Sequence, residues 1–247
     1  MPNFGQEFLR KSRLSALEPS HELQKMPQPP LELPIPADAK LIALPAPAAI
    51  QVPSIDLRTA IERRRSLRSY REEALSLEEL AFLLWTTQGV KKVTPRPATF
   101  RTVPSAGARH AFETYLLCNR VVGLAPGLYR YTALKHALIE FDLSADICER
   151  LTLACGHANQ IRTSAVTFVW VAVTERMYWR YSERGYRYLF LDAGHVCQNL
   201  CLAAEAINCG VCAIAHYDDD ATNQVLGVDG EEQFTIYLGS VGKKPQS

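Results

Sequence analysis

A chain of 247 residues is long enough for one large domain with a sizeable core, or for two small ones. Apolar residues make up 47% of it and charged residues 21%, the proportions of an ordinary soluble globular protein. The formal net charge of +1 leaves no global field to steer nucleic acid or a membrane surface.

In chain order, the first 53 residues stand apart. Ten of the fifteen prolines lie before Ser54. Proline removes backbone donors and favours extended conformations, so residues 1–53 read as an arm and not as a packed domain. Leu31, Leu33, Ile35, Leu41, Ile42 and Leu44 are too apolar for a purely solvated linker. The arm is expected to lie as a strap on the body or on a partner subunit, with the globular domain over residues 54–247. The opening stretch MPNFGQEFLRKSRLSALEPS lacks a continuous apolar core, so no secretory signal is expected.

Ser54 is the expected N-cap of a short amphipathic helix carrying Ile55, Leu57, Ala60 and Ile61. The arginine-rich ERRRSLRSYR follows. A capping box of Ser76 with Glu79 opens a helix striped by Leu80, Leu83 and Leu84 and ended by Gly89. Residues 91–101 read as a mobile loop leading to a turn at Pro104-Ser105-Ala106-Gly107. Strands are expected over 113–118, 128–131 and 138–141, in a local antiparallel meander. Ser144 is the expected cap of a helix reaching Leu153. Residues 164–173, SAVTFVWVAV, are continuously apolar and predict a central strand buried on both faces. The polar, aromatic ERMYWRYSER leads into residues 186–208, which predict a helix roughly 33 Å long. That helix is apolar almost all round, so it belongs in a core or a subunit contact, and Gly210 is placed to supply a left-handed cap. Its one polar seam is Asp192, His195 and Asn199. Arg187, Asp192, His195 and Glu205 argue against membrane insertion. A strand over 211–214, a helix starting in DDDATNQVLG and a last strand FTIYLG close the chain. Strands mixed with helices, without βαβ alternation, indicate one α+β domain.

Seven cysteines and no secretory signal place the chain in a reducing cytoplasm with free thiols. Cys209 and Cys212 spell C-x-x-C, with Cys197 and Cys201 upstream. Zinc cysteines sit on polar knuckles, whereas these lie among Leu, Ala and Ile, so buried structural thiols are the better reading.

Two stretches carry chemistry. Arg63, Arg64, Arg65, Arg68 and Arg71 fall within nine residues, with Ser66 among them. Such guanidiniums repel one another unless an anion or carboxylates neutralise them, and planar charged forks beside a hydroxyl suit a phosphate. A solvated basic face is the plainer alternative. A nucleic-acid patch would need a second basic stripe interleaved with aromatics, and none is visible. The second stretch, from Pro104 to His110, has small residues that let a backbone approach a planar or phosphorylated ligand.

The motifs RRSLRSY, SLEELAFLLWTTQGV, VPSAGARH, GLYRY, RYSERGYRYLFLDAGHVCQNLCLAAEA and YLGSVGK, in that order, resemble the flavin-dependent nitroreductase fold. More narrowly, they resemble its SagB-type branch of azoline dehydrogenases and relatives. The resemblance runs from Ser54 to about Lys243. It implies an α+β sandwich with a mixed or antiparallel central sheet flanked by helices, and a long buried central helix at the interface of a homodimer. It implies FMN in clefts between the subunits. Arg64, Arg65, Ser66 and Arg68 would hold the flavin phosphate and pyrimidine edge, and a cation there would stabilise a reduced flavin. Pro104, Ser105, Ala106 and Gly107 would reach the flavin from the partner chain. Ala213, Ile214 and Ala215 would face the ring, and Gly239 with Lys243 would close over the phosphate.

Azoline dehydrogenases resemble this chain except at a Lys-Tyr pair used for proton abstraction, matched here by Arg180-Tyr181. Arginine stays protonated and is a poor base, while Tyr181 can donate or shuttle a proton. Ala108 stands where many nitroreductases have asparagine. The implied activity is FMN-dependent hydride transfer in two half-reactions, with NADH or NADPH or a small-molecule or peptide substrate as donor. The alternatives are a peptide azoline dehydrogenase and a flavin-binding partner subunit without turnover.

Overall fold

The computed structural model describes residues 3–245. The N-terminal arm contributes helix α1 (Phe4–Lys11) and strand β1 (Leu41–Ala43). Helices α2 (Leu57–Arg63) and α3 (Leu77–Gln88) follow, then a hairpin of β2 (Val90–Val93) and β3 (Thr99–Arg101). A meander of β4 (Phe112–Cys118), β5 (Gly127–Thr132) and β6 (Ala137–Asp142) precedes the short helices α4 (Ile147–Ala154) and α5 (Asn159–Thr163). Strand β7 (Val166–Val173) runs into α6 (Thr174–Tyr181) and α7 (Gly185–Ala206). The chain closes with β8 (Cys209–Ile214), α8 (Asp219–Leu226) and β9 (Gln233–Lys243).

Seven strands form one sheet in the order β1-β6-β5-β4-β7-β9-β8, every neighbouring pair antiparallel. β7 lies inside it, and the strand period of two sends its side chains to two cores. Phe168 and Trp170 pack on the face shared with α3 and α7, whereas Val169 and Val171 pack with Ile147, Leu151 and Leu226 on the other. Each such burial contributes about 1.5–3 kcal/mol, which is why an unbroken apolar run marks this strand. The same alternation separates the C-x-x-C thiols. Cys209 enters the first core and Cys212 the second, and burial pushes the Cys209 thiol up to about 12.

Several local expectations meet their limits at element ends. The Ser76–Glu79 capping box forms as expected and starts α3. α2 starts two residues later than expected, because Asp56 and not Ser54 accepts the Thr59 amide, at 3.0 Å. Ser144 bonds back to Asp142 instead of capping, and α4 begins after Asp146. The left-handed residue after α7 is Asn208, at φ 53°, and Gly210 is inside β8. A Cβ on Gly210 would lie 2.5 Å from Leu67 Cδ2, so glycine there is required by close approach and not by backbone sign. Residues 91–101 form most of the β2–β3 hairpin instead of a loop. Its far end is pinned where buried Arg101 donates to Gln88 at 2.9 Å and to Thr99 at 3.1 Å.

The arm lies along the sheet and α6. Strand β1 pairs with β6, Leu41 opposite Ile139. Side chains of the body grip its backbone: Arg176 donates to the Pro30 carbonyl at 2.9 Å, Arg130 to Pro34 at 2.7 Å, and Trp179 to Met26 at 3.0 Å. Proline-rich backbone lacks donors but keeps its acceptors, so arginine and tryptophan donors suit it. Arg176 also pairs with Glu113 at 2.6 Å, both fully buried, and Glu113 accepts the Leu33 amide at 2.8 Å.

Candidate active site

After α2 the chain turns at Arg64 and runs beside the edge strand β8. Ser66 bridges Val211 in parallel, the Leu67 amide donates to the Val211 carbonyl at 2.9 Å, and the Arg71 amide to Lys243 at 3.1 Å. Tyr70 locks the far end, donating to the carbonyls of Leu67 at 2.7 Å and Ser240 at 3.0 Å. Leu67 and Tyr70 are therefore partly buried against β8 and β9, while Arg65, Ser66 and Arg68 are exposed. The flanking Arg58 and Arg71 pair with Glu62 and Glu73. Among the described residues, no carboxylate pairs with Arg63, Arg64, Arg65 or Arg68. Four guanidiniums without a carboxylate partner, at the end of α2 and on the segment beside the sheet edge, are an arrangement that attracts an anion.

Arg68 opens onto a cleft of about 290 Å³ whose wall includes Ala213, Ile214 and Ala215, with Gly156 and His216 opposite. The fold thus joins the arginine block to the 213–215 loop. Gly239 sits within β9 opposite Ala213 and faces Leu200 of α7. The Lys243 amine is turned inward, donating to Glu79 and, at 3.0 Å, to the Ile207 carbonyl, and it is not among the residues lining this cleft.

The other expected residues gather elsewhere. The turn at Pro104 to Gly107 lies against α6 and α7. The Ala106 amide donates to Asp192 at 3.3 Å, and the His110 amide to Ser105 Oγ at 2.9 Å. Gly107 has φ 57°, and a Cβ there would come within 2.4 Å of Tyr181 Oη and 2.9 Å of Arg180 Cδ. The turn and the Arg180-Tyr181 pair are therefore one surface of one chain. Tyr181 is half-buried, edge-on to Tyr188 at 4.8 Å. Burial pushes the Asp192 carboxyl above the usual carboxylate range, and its Oδ2 has no partner among the described residues.

These two groups stand at opposite ends of the sheet. Ser66 is in register, through Val211 and Val241, with Val166, the first residue of β7. The turn precedes Ala111, whose carbonyl accepts the amide of Val173 at 2.8 Å, at the other end of that strand. The length of β7 separates them by about 23 Å.

The seam of α7 is divided in use. Asp192 is buried on the turn, Asn199 donates to the Thr86 carbonyl at 2.8 Å, and His195 is exposed. One face of α7 is core, through Leu189, Val196 and Leu200, but Phe190 and Leu191 are 58% and 60% exposed. On α2, which packs against α7, Leu57 and Ile61 are also exposed. The helix, expected in a core or a subunit contact, thus leaves apolar residues uncovered within the single chain.

Sequence reasoning missed Glu22, which the arm brings to Arg180 at 3.7 Å, and the role of Asp192 as anchor of the turn. It also missed Arg109, although it stands in the quoted Pro-Ser motif.

An antiparallel sheet with a long helix across one face and short helices on the other, and with a cationic edge beside a cleft, defines an α+β sandwich architecture. The Nitroreductase family model matches residues 61–243, and the chain belongs to that family, as an enzyme of the oxidoreductase class. It is 31% identical over 198 residues, 79% of this chain and 96% of the relative, to a Methanocaldococcus jannaschii protein named as a nitroreductase. It is 28% identical over 140 residues to the trifolitoxin-processing protein TfxB of Rhizobium leguminosarum bv. trifolii, covering 55% of this chain and 32% of TfxB. Among solved structures, a chain of the E. coli microcin synthetase McbBCD complex, with truncated pro-MccB17 bound, superposes with TM-score 0.63 at 21% identity, covering 97% of this chain and 87% of that one. A Desulfovibrio desulfuricans structure in complex with FMN superposes with TM-score 0.54 at 18% identity, covering 78% and 88%.

Proposed function

We propose that this chain is an FMN-dependent oxidoreductase working as a homodimer, with each flavin shared between two copies. The observation that carries the reading is the arginine block: guanidiniums without protein carboxylates among the described residues, beside the β8 edge, with Arg68 lining a cleft. The cleft volume, about 290 Å³, is at the bottom of the range for ligand sites and suits half of a site. The turn at Gly107 lies a sheet's length from the block, so both can touch one flavin only if the turn comes from a second copy.

The residues present fit FMN. Arg64, Arg65, Ser66 and Arg68 would hold the phosphate and the pyrimidine edge, and the backbone at Ala213 to Ala215 would flank the ring. From the second copy, Pro104, Ser105, Ala106 and Gly107 would close the site. Lys243, neutralised by Glu79, is left out of the phosphate grip. When bound, FMN supplies a two-electron hydride carrier at N5, taking hydride from NADH, NADPH or a substrate carbon and passing it to an acceptor. Tyr181 Oη would give or take the accompanying proton. Arg180 cannot act as base and would orient a charged or polar group.

The likeness to TfxB and to a chain of McbBCD favours a second reading, the SagB-type role of oxidising peptide azolines beside a modifying partner, with a non-catalytic flavin subunit as its limiting case. The described residues contain no helix long and apolar enough to cross a membrane, and a cytoplasmic place suits the seven free thiols.

The test is a visible spectrum recorded during anaerobic titration with NADH and NADPH. A yellow protein bleached by one of them is expected; absence of flavin absorbance in folded protein overturns the reading.

A further inference from the structure

Glu22, on the N-terminal arm, is fixed by its backbone as well as its side chain: its amide donates to the Trp179 carbonyl at 2.7 Å. Its carboxylate meets Arg96, on the β2–β3 connection, and Arg180 at 3.7 Å. A third guanidinium is close by. Arg109 is 97% buried by its 3% exposure, lies over the Trp179 ring at 5.2 Å, and makes no side-chain hydrogen bond among the described residues. Its Nε is buried with no acceptor. Burial, and then the charge of Arg180, push that guanidinium below the usual arginine range, and Glu22 opposes the effect. Arg96 and Arg180 thus share one carboxylate, and the buried Nε of Arg109 nearby is left without an acceptor among the described residues, which is costly.

Beside this cluster a cleft of about 360 Å³ opens between the arm and α6. Arg180 and Tyr181 form its floor, and Leu14, Leu17 and Leu23 of the arm form an apolar wall. Glu18, the carboxylate that lines the cleft, is exposed and pairs with no arginine among the described residues, while Glu22 reaches Arg180 from outside the lining. The cleft is therefore apolar along one side, and cationic with a phenol at the end next to Gly107.

We propose that this cleft is a substrate subsite for an organic carboxylate on an apolar stem. Arg180 holds the acid group, and Glu22 of the arm pairs with Arg180 until the substrate arrives. This deepens the functional reading above and rests on it, because it puts the substrate's acid beside Tyr181 and the turn assigned to the flavin. It also explains what arginine does at position 180: a permanently charged fork binds a carboxylate bidentately, which a lysine does less well. The same chemistry can come from a free organic acid or from an acidic residue of a peptide.

The full-length protein, with whatever flavin it retains, is titrated calorimetrically with 4-phenylbutyrate, with its neutral amide, and with the capped peptides Ac-Phe-Leu-Glu-NH₂ and Ac-Phe-Leu-Gln-NH₂. The expected result is that an acid binds at least tenfold more tightly than its amide, and that Arg180→Gln removes the difference. Glu22→Gln tightens acid binding at least threefold, since it deletes the competing carboxylate. Preference for phenylbutyrate assigns a free acid, and preference for the glutamyl peptide assigns a peptide side chain. Glu22→Gln on the surface arm is the deciding variant, because it frees Arg180 without touching the cleft wall. Equal binding of acid and amide, no binding of either acid, or unchanged or weaker acid binding by Glu22→Gln overturns the proposal. Flavin absorbance is read on the same samples. Acid discrimination by a colourless protein supports the subsite while removing the flavin reading, and a yellow protein without discrimination does the reverse.

Discussion

Gly107 shows how tightly single residues are set in this protein. Its left-handed φ costs a side chain roughly 1–2 kcal/mol, and the space a Cβ needs is already held by Tyr181 Oη. Gly107→Ala is expected to lower Tm by about 2–8 °C and to displace Tyr181, checked by thermal unfolding. Tyr181→Phe keeps the ring against Tyr188 and removes only the hydroxyl. Turnover is expected to fall about 10²-fold, in the range of general acid–base effects, with flavin content unchanged. Equal turnover in steady-state assays would reduce Tyr181 to packing. Asp192 anchors the turn at a cost, because burial raises its pKa above the ordinary 3.8. A carboxyl raised on folding binds its proton more tightly in the native state. Its contribution is intact below the unfolded value and declines as pH rises through the folded one. Asp192→Asn keeps an acceptor for Ala106 and should gain about 1 kcal/mol at pH 7 but little at pH 3.5, measured by urea unfolding at both.

At the scale of elements, the segment after α2 behaves as an extra rung on β8. Leu67 over Gly210 and Tyr70 over Gly242 press it onto the sheet, so its backbone is rigid while its guanidiniums stay in water. Truncating two of them should therefore leave the fold alone. Arg64→Ala with Arg68→Ala is expected to give folded, colourless protein, and retained flavin absorbance would refute the assignment. Helix α7 divides its length between the core and an apolar strip at Phe190 and Leu191. With Leu57 and Ile61 of α2, that strip is the contact proposed for a second copy. Sedimentation of the unaltered chain should give a dimer, and Phe190→Asp with Leu191→Lys a monomer that loses flavin. A stable dimer of that variant would move the contact elsewhere.

For the whole molecule, the antiparallel sheet sets the distances. Because β7, β9 and β8 run in register, the arginine block is tied to one end and the Pro-Ser turn to the other. No side chain bridges that span, so a flavin touched by both needs two chains. The arm adds a second layer at the turn end, where Arg176, Arg130 and Trp179 hold carbonyls that proline-rich sequence leaves free. Through Glu22 it also reaches Arg180 at that end.

What the amino-acid sequence by itself determined is local. The two-faced burial of β7 and the capping box of α3 follow from side chains a few residues apart, whose spacing is governed by the strand and helix periods. The arginine block was legible for the same reason, since its crowding is visible within nine residues. Element ends were less so: Asp56 displaced Ser54 as cap, and Asn208 displaced Gly210 as the left-handed residue, because neighbours decide between near-equal local choices. Only the tertiary structure decided that Gly107 lies under Tyr181, that Lys243 turns inward to Glu79, and that Glu22 meets Arg180 from 158 positions away. Such contacts leave no periodic trace, because they arise from where the sheet places chain segments and not from any spacing along them.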